Sequence, residues 1–99
     1  MFIVQACDAL HAGKCLQVNY DGYSRVVEVH AVGYSAADNP IMRVWQVRGG
    51  SNPREPVGWK LMPLDEAVSV SVLDEERSEA PRPGYKPGDK GISTIVCQL

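Results

Sequence analysis

Eight side chains between positions 20 and 60 are the candidates for binding a ligand: Tyr20, Arg25, His30, Arg43, Trp45, Arg48, Trp59 and Lys60. A guanidinium takes a carboxylate or phosphate in two parallel hydrogen bonds and stacks on an indole or a base. Arg25, Arg43 or Arg48 beside Trp45 and Tyr20 therefore suits a small anionic or nucleotide-like ligand. His30 would serve as a donor or a pH-tuned contact. Residues 25–60 hold Arg25, Arg43, Arg48, Arg54 and Lys60 against Glu28, Asp38 and Glu55, which makes a local patch and nothing larger. The same residues fit a plainer reading as well: a solvated face on which Arg25 pairs locally with Glu28, and two tryptophans that are half-buried core. Of the two indoles, Trp59 is the better stacking wall, because it stands beside Lys60 and near glycine-rich loops.

Other constellations carry less. Arg48-Gly-Gly-Ser-Asn52 offers successive backbone N–H groups to an anion, but it lacks the Gly-Lys-Ser/Thr and strand-to-helix context of a phosphate loop and reads better as a hairpin loop. Cys7, His11 and Cys15 follow a four-residue spacing, yet Gly13 breaks the helical register before Cys15. A structural zinc needs four ligands, and only His30 and Cys97 remain far along the chain, so no metal is expected. The acidic pairs Asp65-Glu66 and Asp74-Glu75-Glu76 sit at turns or in the tail, without the convergence that acid/base work requires. No enzyme and no cofactor are expected.

The elements that must position these residues follow from periodicity. Phe2, Ile3, Ala6, Ala9 and Leu10 recur at helical spacing up to Gly13, which predicts a helix over 2–12. Leu16, Val18 and Tyr20 alternate with Gln17 and Asn19 and run into Asp21-Gly22, a strong hairpin signal. A longer strand from Tyr23 to Gly33 follows, with Val27, Val29 and Ala31 on one face and Glu28 and His30 on a wetter one. Further strands are predicted at Ile41–Val47 and at Val57–Leu64, the latter confined by Pro63 to an edge or an early finish. A fifth spans Val68–Val72, with Val68, Val70 and Val72 facing in. Residues 74–91 are acidic and rich in Pro and Gly, with Tyr85 their only large apolar side chain, and read as a tail. Apolar, β-branched character returns at Ile92–Leu99, so the end can fold back or pair with a partner as a strand.

Ninety-nine residues make one ordinary domain, with the core at 1–73 and the tail at 74–99. Ten Lys/Arg against twelve Asp/Glu leave a net charge of -2, which removes the broad basic field of a phosphate-tracking protein. No apolar run is long enough to span a membrane and no leader is evident, so the expected location is the cytoplasm. Three cysteines without paired spacing fit reduced thiols, and at least one must stay unpaired within a monomer.

Val18-Asn-Tyr20, Arg25-Val-Val-Glu-Val-His30, Val44-Trp-Gln-Val47 and Gly58-Trp-Lys-Leu-Met-Pro-Leu-Asp65 follow one another in an order that resembles the WYL domain over roughly residues 2–73. Trp45-Gln46-Val47 stands where that family has Trp-Tyr-Leu, and Leu64-Asp65 matches the Leu-Asp that closes its fourth strand. Gln46 and Val47 depart from the pattern. Trp59 and Lys60 occupy the aromatic and second basic positions, but the flanking arginines are replaced by Val57 and by Ala67 or its neighbours. The chain is also similar to small bacterial proteins with Trp/Tyr-Gln, Gly-Gly-Ser and Gly-Trp-Lys patterns. The resemblance implies a regulatory Sm-like barrel that senses a nucleotide, nucleic acid or other small anion, here as a stand-alone sensor or binding subunit whose output element is absent or lies on another protein.

Taken together, the expectation is a mainly β fold, a five-stranded SH3/Sm-like antiparallel barrel with an N-terminal helix and an extended C-terminal tail. Its expected role is regulatory sensing of a small anionic or nucleotide-type ligand, in transcription regulation. Two rivals remain open. One is an oligomerisation module that works without ligand, through strand edges or the tail. The other is a single-strand nucleic-acid binder, against which the net charge counts.

Overall fold

Small residues on one face of the first helix let it lie close against a sheet. The computed structural model describes residues 2–50 and 55–99. Helix α1 (Ile3–Ala12) buries Ala6, Ala9 and Leu10 and stops at Gly13, whose positive φ of 67° lets its N–H close onto Ala9 and Leu10. Strands β1 (Lys14–Tyr20) and β2 (Tyr23–Tyr34) are joined by Asp21-Gly22, both at positive φ, as a two-residue hairpin needs. Then come β3 (Pro40–Gly49), β4 (Gly58–Pro63), β5 (Ala67–Arg77) and β6 (Thr94–Gln98). All six strands pair antiparallel in one sheet of order β4-β3-β2-β1-β5, with β6 also on β2. The fold is mainly β, with one short helix. No ladder joins β4 to β5 among the described residues, so the sheet is open at those two edges.

The twelve residues of β2 organise the molecule. On one side they pair with β3 from Arg25 to Tyr34. On the other, Tyr23–Val27 pair with β1 and Ala31–Tyr34 pair with β6. A register shift between Val29 and Ala31 leaves His30 as an extra residue, and such a bulge bends the strand where β1 gives way to β6. At Gly33 the chains come so close that a Cβ would meet the Thr94 carbonyl oxygen and the Ile92 side chain, so only glycine admits β6 to this position.

The core lies between α1 and one face of the sheet, built on Leu16, Val18, Val27, Val29, Val32, Met42, Val44, Met62 and Leu64. Several expectations change here. The sheet has six strands among the described residues where five were expected, and the sixth is the chain's own end folded back onto β2, one of the two outcomes read from residues 92–99. The composition break at 73 falls inside β5, so residues 74–99 finish one strand, supply another and cross the second face between them. The supposedly wetter face of β2 is dry: Glu28 and His30 are 1% and 0% exposed. Val68 was expected inside and is 82% exposed, because an irregularity in the β1–β5 register beside Ala67 turns it outward, while Val70 and Val72 pack on the core.

The cysteine expectation is corrected as well. Cys7 on α1 and Cys97 on β6 form a disulfide with a Cα–Cα distance of 6.0 Å. Helix α1 packs against β6, and that docking brings together two residues 90 apart in sequence. Cys15 is the free thiol, buried, and its pKa is pushed up to about 11 mainly by that burial.

Candidate functional site

Strand alternation places Glu28, Trp45 and Trp59 on the face away from α1, and the ladders set them in one row, Glu28 opposite Trp45 and Trp45 opposite Trp59. The segment 78–93 crosses this row, and Glu28 anchors it. The Glu28 carboxylate accepts hydrogen bonds from Arg82 Nε (2.6 Å), Arg82 Nη2 (3.2 Å) and the Glu79 N–H (2.7 Å). The Arg82 guanidinium also lies 5.4 Å from the centre of the Trp45 ring. His30 completes the anchor. Its Nε2 accepts the Arg82 backbone N–H at 3.0 Å, so its other nitrogen carries the proton and donates to the Glu28 carbonyl at 2.9 Å.

Four rings meet beside this anchor. His30 lies 4.7 Å from Trp59 and 5.1 Å from Tyr85, and Trp45 meets Trp59 edge-on at 5.4 Å. Trp59 and Tyr85 then form walls of a pocket of about 570 Å³, completed by Arg43, Gly84 and residues 86–90. Arg43 is held by Asp89 through Nε (2.5 Å) and Nη2 (3.3 Å), and this pairing is what holds the Asp89 carboxyl below its ordinary range. Asp89 also accepts the Gly91 N–H, which shapes the loop. Lys86 and Lys90 are exposed at the pocket and have no ion-pair partner among the described residues.

Burial lowers the His30 pKa from its ordinary 6.5, outweighing the Glu28 carbonyl and carboxylate, which raise it. Between the two values the unfolded chain binds a proton that the folded chain does not, so stability falls as pH drops below about 6.5 and is fully present above it. Melting temperature is thus expected to fall between about pH 7 and about pH 5, and His30→Gln, which keeps an acceptor for Arg82, is expected to flatten that slope. A slope unchanged in the variant would assign it to other groups.

Of the eight residues singled out in sequence, the structure brings His30, Arg43, Trp45 and Trp59 together. Tyr20 and Arg25 form a different cluster at the β1–β2 hairpin: the Arg25 guanidinium lies 4.8 Å from the Tyr20 ring and 5.4 Å from the Tyr23 ring. Arg25 is 3% exposed, reaches Asp21 only at 3.9 Å, and its Nε has no hydrogen-bond partner among the described residues. It does not pair with Glu28, since the two lie on opposite faces of β2. Arg48 is taken by Glu76 in a two-bond pair of 2.5 and 2.6 Å. Lys60 follows Trp59 directly in β4, and alternation sends it to the other face. Ser51, Asn52 and Arg54 lie outside the described residues, so the loop reading of Arg48–Asn52 is described only as far as Gly50.

Sequence reasoning missed Glu28 as an anchor, read Tyr85 as part of a tail, and missed Arg82, Lys86, Asp89 and Lys90 altogether. One signal was present: a lone tyrosine with lysines close by, in a segment otherwise made of Pro, Gly and acids. Comparison with protein-family models, curated proteins and solved structures finds no match for this chain.

Proposed function

We propose that this protein is a regulatory module that senses a small anionic ligand in the pocket between β3, β4 and residues 84–90. One observation carries the reading: Lys86 and Lys90, two cations without carboxylate partners among the described residues, stand at a 570 Å³ pocket with aromatic walls. Pockets of this size, largely apolar with a few convergent polar groups, are the usual form of a small-molecule site. The bend of β2 at His30 supports the SH3/Sm-like part of the reading, while β4 and β5 are not joined among the described residues; the barrel, the WYL resemblance and a role in transcription regulation all belong to the proposal. No helix among the described residues is long and apolar enough to cross a membrane. A cytoplasmic location is part of the reading, but the Cys7–Cys97 disulfide pulls against it, since such bonds persist in oxidising compartments.

A thermal-shift series with nucleotides, sugar phosphates and carboxylates tests the reading. A ligand at about 100 times its Kd is expected to add about 2.7 kcal/mol of apparent stability. The double variant Lys86→Ala/Lys90→Ala is expected to lose that shift while melting as the unmodified protein does without ligand. No shift for any anion, or an undiminished shift in the double variant, would refute it.

A second reading has its own observation. Strands β4 and β5 are unpaired edges among the described residues, and Val68 at the start of β5 is 82% exposed, a surface on which another copy can pair. A sedimentation mass of one chain at about 100 μM would dismiss that reading, since edge pairing is favoured by high concentration.

A further inference from the structure

We infer that residues 78–87 form a flap latched by the neutral ring of His30, and that a proton on its Nε2 releases the flap and opens the pocket wall made by Tyr85. This adds a regulation to the pocket, and it rests on the reading of the pocket as an anion site only for what the release would set free. It is distinct from a general loss of stability in acid, because the part that opens is local.

The bonding at His30 carries the inference. The ring is fully buried, and its Nε2 accepts the Arg82 backbone N–H at 3.0 Å while Nδ1 donates to the Glu28 carbonyl at 2.9 Å. Nε2 is therefore the one position left for a second proton, and a proton there points an N–H at an N–H. The hydrogen bond that holds Arg82 cannot survive it. Glu28 is the carboxylate whose charge acts on the ring, and its oxygens are already taken by Arg82 Nε and Nη2 and by the Glu79 N–H. If Glu28 turns to the imidazolium, it lets go of the same flap. If it does not, a buried cation stands near the Arg82 guanidinium without a partner of its own. Both routes loosen residues 79–82, and burial already biases the ring toward its neutral form.

The other elements packed around the ring bring no charge to offset the proton. On the flap, Tyr85 presents its ring at 5.1 Å, and Glu79 pairs with Arg82 at 3.6 Å from an exposed position. Strand β4 brings the uncharged Trp59 at 4.7 Å, and β3 brings Arg43 to this face already paired with Asp89. Beyond β6, the Leu99 N–H donates to the His30 carbonyl and leaves the ring alone. The far end of the segment is held separately, Asp89 by Arg43, the Gly88 N–H by the Gln98 side chain and the Ile92 N–H by the Asp89 carbonyl. None of these contacts involves His30. Tyr85 has one further tie, an exposed hydroxyl bond to the Leu99 carbonyl at 3.2 Å, and such a bond contributes only about 1 kcal/mol. Release at Arg82 thus swings the near half, with Tyr85, away from Trp59 and leaves 88–92 in place. The pocket loses the wall that faces Trp59.

Amide hydrogen exchange of the full chain between about pH 7.5 and about pH 5, corrected for the pH dependence of intrinsic exchange, tests the latch without any ligand. The Glu79, Arg82 and Tyr85 amides are expected to lose protection below pH 6.5, by up to about tenfold per pH unit, the limit for one proton taken up on opening. The Gly88 and Ile92 amides and the β1–β2 ladder are expected to keep theirs. In His30→Gln the loss is expected to disappear. Should that variant fail to hold the flap at neutral pH, the imidazole nitrogen signals of the unmodified protein decide instead, since protonation of Nε2 must follow the same pH course as the opening. A loss of protection shared by the β1–β2 ladder would reduce the effect to global unfolding and overturn the latch. A loss that persists in His30→Gln, an imidazole that titrates apart from the opening, or a flap equally protected at both pH values would overturn it too. Each of these results leaves the anion site standing, and an anion site that fails its thermal-shift test leaves the latch standing.

Discussion

Replacing Glu28 with alanine is expected to lower the unfolding free energy by about 3 kcal/mol, because three hydrogen bonds to one buried carboxylate are lost together. For a chain of this size that corresponds to a fall in melting temperature of roughly 12 to 24 °C. The carboxylate is 1% exposed, and the groups it holds belong to a segment more than fifty residues further on, so its removal frees residues 78–93 from the sheet. Arg82→Ala strands the same carboxylate without its counterion and is expected to be at least as damaging. The two losses should not add: the double variant is expected to be little worse than the more damaging single one, as for residues of one network. Urea denaturation of the three variants checks this. Additive losses would mean that Glu28 and Arg82 stabilise the fold separately.

Breaking the Cys7–Cys97 bond is expected to cost about 2 to 4 kcal/mol, since it closes nearly the whole chain into one loop and long loops gain most from closure. Cys97→Ser and mild reduction of the unmodified protein are expected to give the same loss. Thiol labelling should then show two newly reactive sulfurs after reduction and one, Cys7, in Cys97→Ser, while Cys15 stays unlabelled until unfolding, protected by burial and by a pKa near 11. Because Gln98 at the end of β6 and Leu99 just after it accept hydrogen bonds from Gly88 and Tyr85, reduction is expected to weaken ligand binding as well as stability. Equal stability of the oxidised and reduced protein would show that β6 is held by its ladder alone.

Local order was legible in the sequence because its causes are local. The helix up to Gly13, the Asp21-Gly22 hairpin and the edge position of the strand bearing Pro63 each follow from residues within a few positions of one another. Val68 escaped because periodicity assumes an unbroken ladder, and one irregularity turned it outward. The disulfide and the Glu28–Arg82 pair escaped because their partners are brought together only by the folded sheet.

The site was half legible for the same reason. Residue type picked out Arg43, Trp45 and Trp59, and β3–β4 pairing puts them on one face. Type alone also selected Arg25 and Arg48, which other side chains already occupy, and Lys60, which alternation sends to the wrong face. The other wall came from a segment whose composition read as a tail. Proline and glycine there do not mean absence of structure. They shape a loop that lies on the sheet through Arg82, Tyr85 and Asp89.

The most direct test of the anion pocket is an amide and indole N–H chemical-shift titration of the full chain with AMP and with indole-3-carboxylate. Saturable shifts confined to residues 84–90, to Arg43 and to the Trp59 indole are the expected result. Shifts centred on Tyr20, Arg25 and Arg48, or no saturable shift with either compound, would contradict the account.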